Sequence, residues 1–325
     1  MTGIFKTNNP TNIFLLLLYA VFLKFSLFST SMQPVVQVYD SILYKYLIIF
    51  FTPLANSVPF VYNLFTFTLL FTQAIYINKV VNAQHLFKQP HYLTAMSYLL
   101  ITSLLSDWFL FSAALIVNTL GISIYSRLCT LYNNPNAKAT IFNIGLLTGL
   151  ATFIYFPFFI LLILVMIGIA IARPFKLQEW LTGLIGMLTP IYLFVVMLFI
   201  TAELSIYKLP KVYFTLPYVM PNPWAMASIG IIILATVIGF FYTIKNMQRQ
   251  VVLTRKSWQL LILYSIIAFI SIYINAAKVF SNGIVLALPL AVLVASTFYY
   301  PKKRILPVLL HMAMLSIYML NYFYK

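Results

Sequence analysis

The sequence predicts an all-α protein, a polytopic membrane helix bundle of about eleven transmembrane helices. Three observations carry this. First, the 325 residues are 63% apolar and only 7% charged, against about 25% charged in ordinary soluble domains. Second, apolar runs near the ~20 residues that span a bilayer core recur along the whole chain. Third, twenty Lys and Arg face only four acidic residues, and the cations cluster in short gaps between those runs, as topology markers do.

The elements follow in order. Asn12 to Phe28 is an apolar run interrupted by Lys24. It reads as a retained signal anchor, with a cleaved signal peptide ending near Ser29-Thr30-Ser31 as the alternative. A polar stretch, Thr30 to Asp40, leads into 41–52. That segment is apolar but too short to span, and it is expected to stop at Pro53 as an interfacial or re-entrant helix. Spans are expected at about 58–78, 92–106, 108–130, 138–153, 154–172, 179–202, 224–244, 257–276, 282–299 and 305–323. The short 92–106 and 138–153 runs suit tilted partners or half-helices buried in protein. No internal repeat is evident, and one membrane domain is expected to cover residues 1–325.

Counting cations in alternate connections gives the orientation. With the N-terminus inside, Lys6, Lys79, Lys88, Arg127, Lys138, Arg173, Lys176, Lys245, Arg249, Arg255, Lys256, Lys302, Lys303 and Arg304 are cytoplasmic. Lys45, Lys208, Lys211, Lys278 and Lys325 fall on the other side, and Lys24 lies within the first span. Fourteen against five supports an N-in, C-out arrangement.

Several chemistries are disfavoured. Neither GxGxxG nor GxxxxGK[ST] occurs, so ATP-driven chemistry by this chain alone is not expected. Cys129 is the single cysteine, which removes intrachain disulfides and cysteine-based metal sites. His85 and His91 lie six apart in a polar connection, off the four-residue spacing of two ligands on one helix face. They read as a wetted loop, with His311 isolated from both.

The scarce residues are the acids. On this topology Asp40, Asp107 and Glu203 all fall on the outer side, and only Glu179 is cytoplasmic. Acids are simply tolerated outside, which accounts for part of the pattern. The functional reading makes Asp40 and Asp107 a carboxylate pair at the mouth of an outer cavity. Such a pair acts as a general base or holds a divalent cation through oxygen ligands. Asp107 is the sharper candidate, because it sits in a hairpin with almost no loop, where an ionisable group must be paired or wet.

The longest outer connection, 203–224, carries Pro210, Pro217, Pro221 and Pro223, which exclude a regular helix. Its aromatics, Tyr207 among them, suit stacking on a sugar, lining a lipid entrance, or lying on the bilayer as an aromatic belt. Lys208, Lys211 and Lys45 are the outer cations able to meet a lipid phosphate or anionic headgroups. Glu203 opens this loop and joins Tyr207 and these lysines as a substrate-binding candidate.

Elsewhere structural roles are expected. Glu179 in Arg173-Pro-Phe-Lys-Leu-Gln-Glu-Trp180 marks a corner between two spans, with Lys176 three residues before it. Asn63, Thr66 and Gln73 share one helix face and suit interhelical hydrogen bonds. Gly145 and Gly149 form a GxxxG step for close helix approach.

Gln73-Ala-Ile-Tyr-Ile-Asn-Lys79, Phe142-Asn-Ile-Gly-Leu-Leu-Thr-Gly-Leu150 with Ile154-Tyr-Phe-Pro157, and the Arg173–Trp180 corner followed by Gly186 and Pro190 together resemble an uncharacterised multi-pass inner-membrane protein family of Bacteroidota. Some of its members are labelled beta-carotene monooxygenase. Membrane carotenoid oxygenases hold iron through several histidines, whereas three scattered ones occur here, so that activity is not expected. A looser likeness, of topology only, is to GT-C glycosyltransferases, which place an acid in the first outer loop beside an interfacial helix and often another in the second. Asp40 and Asp107 match those positions. The short first loop, the nearly absent second and the lack of a periplasmic domain depart from that pattern.

The expected function is therefore an outer-face, polyprenyl-phosphate-sugar-dependent transferase of GT-C type in a bacterial inner membrane. Asp40 would be the base or metal-positioning carboxylate, and Asp107 its partner. A transporter or flippase of a small or lipid-linked substrate is the alternative from a different class. A non-catalytic subunit bound to a membrane protein partner is the third.

Overall fold

The computed structural model describes residues 3–37, 40–132, 134–200, 212–217, 222–275, 280–303 and 305–323. Of the described residues 76% are helical, and none is in a strand. The helices are α1 (Thr11–Leu23), α2 (Ser26–Ser29), α3 (Ile42–Ser57), α4 (Val61–Ala83), α5 (Leu93–Ile101), α6 (Ala113–Cys129) and α7 (Ala137–Thr152), then α8 (Leu161–Ala172), α9 (Leu177–Ile200), α10 (Pro223–Met247), α11 (Val252–Ser271), α12 (Ile284–Tyr299) and α13 (Ile305–Phe323). Short 3₁₀ turns at Ser106–Phe109, Phe156–Ile160 and Phe280–Gly283 join several of them.

Among the described residues, five helices are long and apolar enough to cross a membrane: α4, α9, α10, α12 with its preceding turn, and α13. α1, α3, α6 and the 156–172 segment are apolar but shorter. Burial separates inner helices from outer ones. Every residue of α5 is buried, so this nine-residue helix is a piece of core. α12 is the other central helix, packed against α5, α6, α10 and α11. By contrast α9 and α10 expose Tyr192, Phe199, Val237 and Phe241, as suits helices bathed in hydrocarbon.

The glycine step acts as expected. α7 and α9 form the most extensive helix pair. A side chain at Gly145 would collide with the Gly183 carbonyl, one at Gly149 with that of Met187, and one at Gly186 with that of Phe142. α3 departs from expectation by running through Pro53 to Ser57. Thr52 Oγ1 (2.7 Å) and Tyr62 Oη (3.3 Å) both donate to the Ile48 carbonyl, bonding the turn before the proline from the side.

Of Asn63, Thr66 and Gln73, the three polar residues expected to share one face of α4, two bridge elements. Asn63 Nδ2 donates to the Leu27 and Thr30 carbonyls, and its Oδ1 accepts from Met32 N–H, which closes the end of α2. Gln73 Nε2 donates to the Leu115 carbonyl (2.7 Å) and Thr119 Oγ1 (2.8 Å), while its Oε1 accepts from Tyr98 at 2.6 Å. Thr66 instead donates to Tyr62 in its own helix, the back-bond that suits a threonine with no partner opposite.

At the Arg173–Trp180 corner, the partner of buried Glu179 is Arg173, at 3.1 Å, and not Lys176. The Arg173 guanidinium also donates to the Leu131 and Asn134 carbonyls. Its planar fork meets three acceptors at once, which a lysine does less well. His91 is likewise no wetted residue: it is fully buried between Phe87 and Tyr299, with both ring nitrogens unpartnered. Burial pushes its imidazole down to about 4, so it is neutral near pH 7.

Candidate functional site

Asp40 lies just ahead of α3, where its backbone forms an isolated antiparallel bridge with Tyr155. Its Oδ2 accepts the Gln37 N–H at 2.7 Å. Burial pushes the carboxyl up from 3.8 to about 6, with the Gln37 hydrogen bond and the charge of Lys45 pulling the other way. A carboxyl near 6 exchanges a proton readily close to neutral pH, as a general base must. Lys45, half-buried in the first turns of α3, lies close enough for its charge to act on Asp40.

Asp107 sits in the 3₁₀ turn between α5 and α6. Its Oδ2 accepts the Phe280 N–H at 3.0 Å, while Trp108 Nε1 donates to the Phe280 carbonyl, also at 3.0 Å. The Trp108 and Phe280 rings stack at 6.2 Å. Three adjoining contacts thus fasten the 106–109 turn to the 280–283 turn. The two acid-bearing segments are linked through Tyr44, one turn after Asp40, which donates to the Phe111 carbonyl at 2.8 Å. Each carboxylate nevertheless has its own hydrogen-bond partner.

Glu203, Tyr207, Lys208 and Lys211 lie outside the described residues. The later part of that loop is described: Thr215 N–H donates to the Tyr273 carbonyl and Asn275 N–H to that of Tyr213. Asn275 adopts a left-handed backbone (φ 49°), which asparagine tolerates better than most residues. These pairings hold the loop against the end of α11.

Beside the Asp107 clasp opens a lateral groove of about 540 Å³ between α10, α11 and α12, within the range of ligand sites. Ile233 and Val237 of α10, Ile266 and Phe269 of α11 and Leu290 of α12 form its walls, and Trp108, Phe280, Pro217 and Tyr273 gather in the lining with them. Among its described lining residues, the hydroxyls of Thr236 and Ser265 are spent on the Ile232 and Ile262 carbonyls, and Tyr273 adds one more. One edge is tight: Gly239 lets α10 touch the Leu293 backbone, and Thr243–Ser296 and Thr297–Ala235 hydrogen bonds fix it there. Toward α11 the groove stays open, with Ile233, Ile266 and Phe269 more than half exposed. Such walls recognise hydrocarbon and little else.

Trp108 and Phe280 join Asp107 here although neither is among the residues expected at the site. The adjacent Asp107-Trp108 pair was the available signal for the first. Nothing local marked the second. Among the described residues, no group of three or more His, Cys, Asp or Glu comes together.

Among the described residues the fold is all-helical, and five apolar helices have the length to cross a membrane, as in a membrane protein. Residues 25–325 match the profile described as Family of unknown function (DUF6427), and the chain belongs to that family. Neither the curated proteins nor the solved structures contain a match.

Proposed function

We propose that this protein works in a bacterial inner membrane on a lipid-linked glycan, as an outer-face transferase of GT-C type using a polyprenyl-phosphate sugar. One observation carries the reading: a hydrocarbon-lined groove, open sideways, whose lining includes Trp108 and Phe280 of the Asp107 clasp. In this reading α1, α4 and α6–α13 cross, and α5 together with the 102–109 stretch that continues it makes the remaining passage, for about eleven in all, N-in and C-out, with α3 at the interface. Asp40 and Asp107 then face the outer side. The lipid chain occupies the groove, and the phosphate meets Lys45, Lys208 and Lys211. Glu203 and Tyr207 contact the sugar. Asp40, with its raised carboxyl, takes the acceptor proton, alone or with a divalent cation shared with Asp107.

Purified protein is to be assayed with polyprenyl-phosphate sugars and an acceptor. Transfer that disappears in Asp40→Asn at unchanged membrane abundance supports the reading, and full activity in that variant sinks the catalytic role.

A second reading, movement of a lipid across the bilayer, is favoured by the engagement of Asp107 with the Phe280 N–H and by the open edge of the groove. Liposomes holding the protein and a fluorescent polyprenyl lipid separate the two. Lipid crossing without transfer identifies a flippase.

A further inference from the structure

The connection from α6 to α7 and the corner from α8 to α9 meet at one end of the bundle. There the Arg173 guanidinium donates to the Leu131 and Asn134 carbonyls, and the Lys138 ammonium to Gln178 Oε1 at 2.9 Å. The 17 residues of α6, about 25 Å of helix, separate this end from Asp107. A cavity of about 500 Å³ opens between the start of α7 and the α9 corner, with Lys138, Arg173, Lys176 and Glu179 in its lining.

The charge of this cavity is unbalanced. Among the described residues the one ion pair is Arg173–Glu179, so the only acid in the lining is already matched. Lys138 and Lys176, both exposed, have no carboxylate. Arg173 spends Nε on Glu179 and Nη1 on the two carbonyls, which leaves both Nη2 hydrogens without a described acceptor. The backbone adds to these donors: Asn136 caps α7 without a side-chain bond, and the N–H groups of Lys138 and Ala139 in its first turn are unpaired. Two free ammonium groups and the open edge of a guanidinium around one cavity suit the oxygens of a phosphate.

The surface beside the cavity suits the rest of a lipid. Leu177, Leu181, Leu184 and Leu188 follow one another at helical spacing along α9, starting next to Lys176, and are 37–62% exposed. Phe175, on the other side of Lys176 in sequence, is 69% exposed. A free anion would use the cations alone, whereas a phospholipid uses both features, its headgroup in the cavity and its chains along the leucine stripe.

We propose that this corner is a binding site for the headgroup phosphate of an anionic phospholipid, held by Lys138, Lys176 and the Nη2 edge of Arg173. The site lies at the far end of α6 from Asp107 and needs no assumption about transfer or lipid movement.

The test uses the full-length protein in detergent, with retained lipid counted by native mass spectrometry after addition of phosphatidylglycerol or phosphatidylcholine. One phosphatidylglycerol should bind in preference to phosphatidylcholine. Lys138→Gln and Lys176→Gln should each weaken its binding about fivefold. Replacing Lys302 and Lys303, two exposed cations of the α12–α13 connection, with Gln should leave it unchanged. Equal retention of the two lipids overturns the proposal, as does an equal loss in the Lys302 and Lys303 variant. Inorganic phosphate that raises the melting temperature as much as phosphatidylglycerol at equal concentration assigns the cavity to a free anion and overturns the lipid. If either single variant does not fold, wild-type crystals grown with phosphatidylglycerol decide, and a cavity without a headgroup between Lys138 and Lys176 rejects the site.

Discussion

Asp107 and Phe280 stand 173 positions apart, yet the carboxylate of one accepts the backbone N–H of the other at 3.0 Å. The bond gives Asp107 a structural task alongside any chemical one, and two substitutions separate them. Asp107→Ala leaves the amide without its partner and should cost about 1–3 kcal/mol, with faster hydrogen exchange at Phe280. Asp107→Asn keeps an acceptor oxygen and should retain most of the stability. If Asp107→Asn is stable but inactive in transfer, its charge is chemical. A stable, active Asp107→Asn variant assigns the residue to the clasp alone.

Asp40 should make stability depend on pH with an unusual sign for a carboxylate. Its folded value of about 6 lies above the ordinary 3.8, so between those values the native state binds more protons than the unfolded chain. Stability from this group is complete below about pH 4 and is lost as pH rises toward 6. Asp40→Asn removes the loss. Its stability relative to wild type should therefore climb from pH 4 to 6 and level off above. His91, whose folded value is lowered to about 4, tilts both proteins the opposite way and cancels in the difference. A flat difference across that window would show that Asp40 is not raised.

The α7–α9 contact should be intolerant of side chains. Gly145→Leu drives a side chain into the Gly183 carbonyl, where backbone must move, and should destabilise by about 1–3 kcal/mol or more. Gly230, with open space around its Cα, is the matched control, and Gly230→Ala should be no less stable than wild type. Denaturation followed by tryptophan fluorescence distinguishes them.

Filling the groove should expel its lipid. Thr236→Trp places an indole where Ile233, Ile266 and Leu290 converge, and should lower polyprenyl-lipid retention about tenfold, or 1.4 kcal/mol. Native mass spectrometry of the purified protein reads this directly. Retention equal to wild type would place the lipid elsewhere.

What the sequence disclosed and what it concealed divide along the range of the interaction. The Gly145–Gly149 step needs only a four-residue spacing, so close helix packing was legible before any partner was known. Gln73 was legible for the same reason: a polar group on an apolar helix face must find a bond inside the bundle. His91 misled because its neighbours in sequence are polar, while its neighbours in space are Phe87 and Tyr299, the latter more than 200 positions away. The extent of α3 misled because Pro53 removes a single ladder hydrogen bond, after which the helix continues to Ser57 and the Val58 N–H bonds the Leu54 carbonyl. The groove is a gap between α10 and α11, and a gap has no residue of its own to read.

The stretch from Ser103 to Phe109 separates two different solvents. Leu105 and Trp108 line the hydrocarbon groove, while Leu104, Ser106 and Phe109 line a small cavity together with Ser26 and Ser103. If a lipid in the groove moved this stretch, the small cavity would change shape with it, and linkage would require any resulting coupling to act by the same factor in both directions.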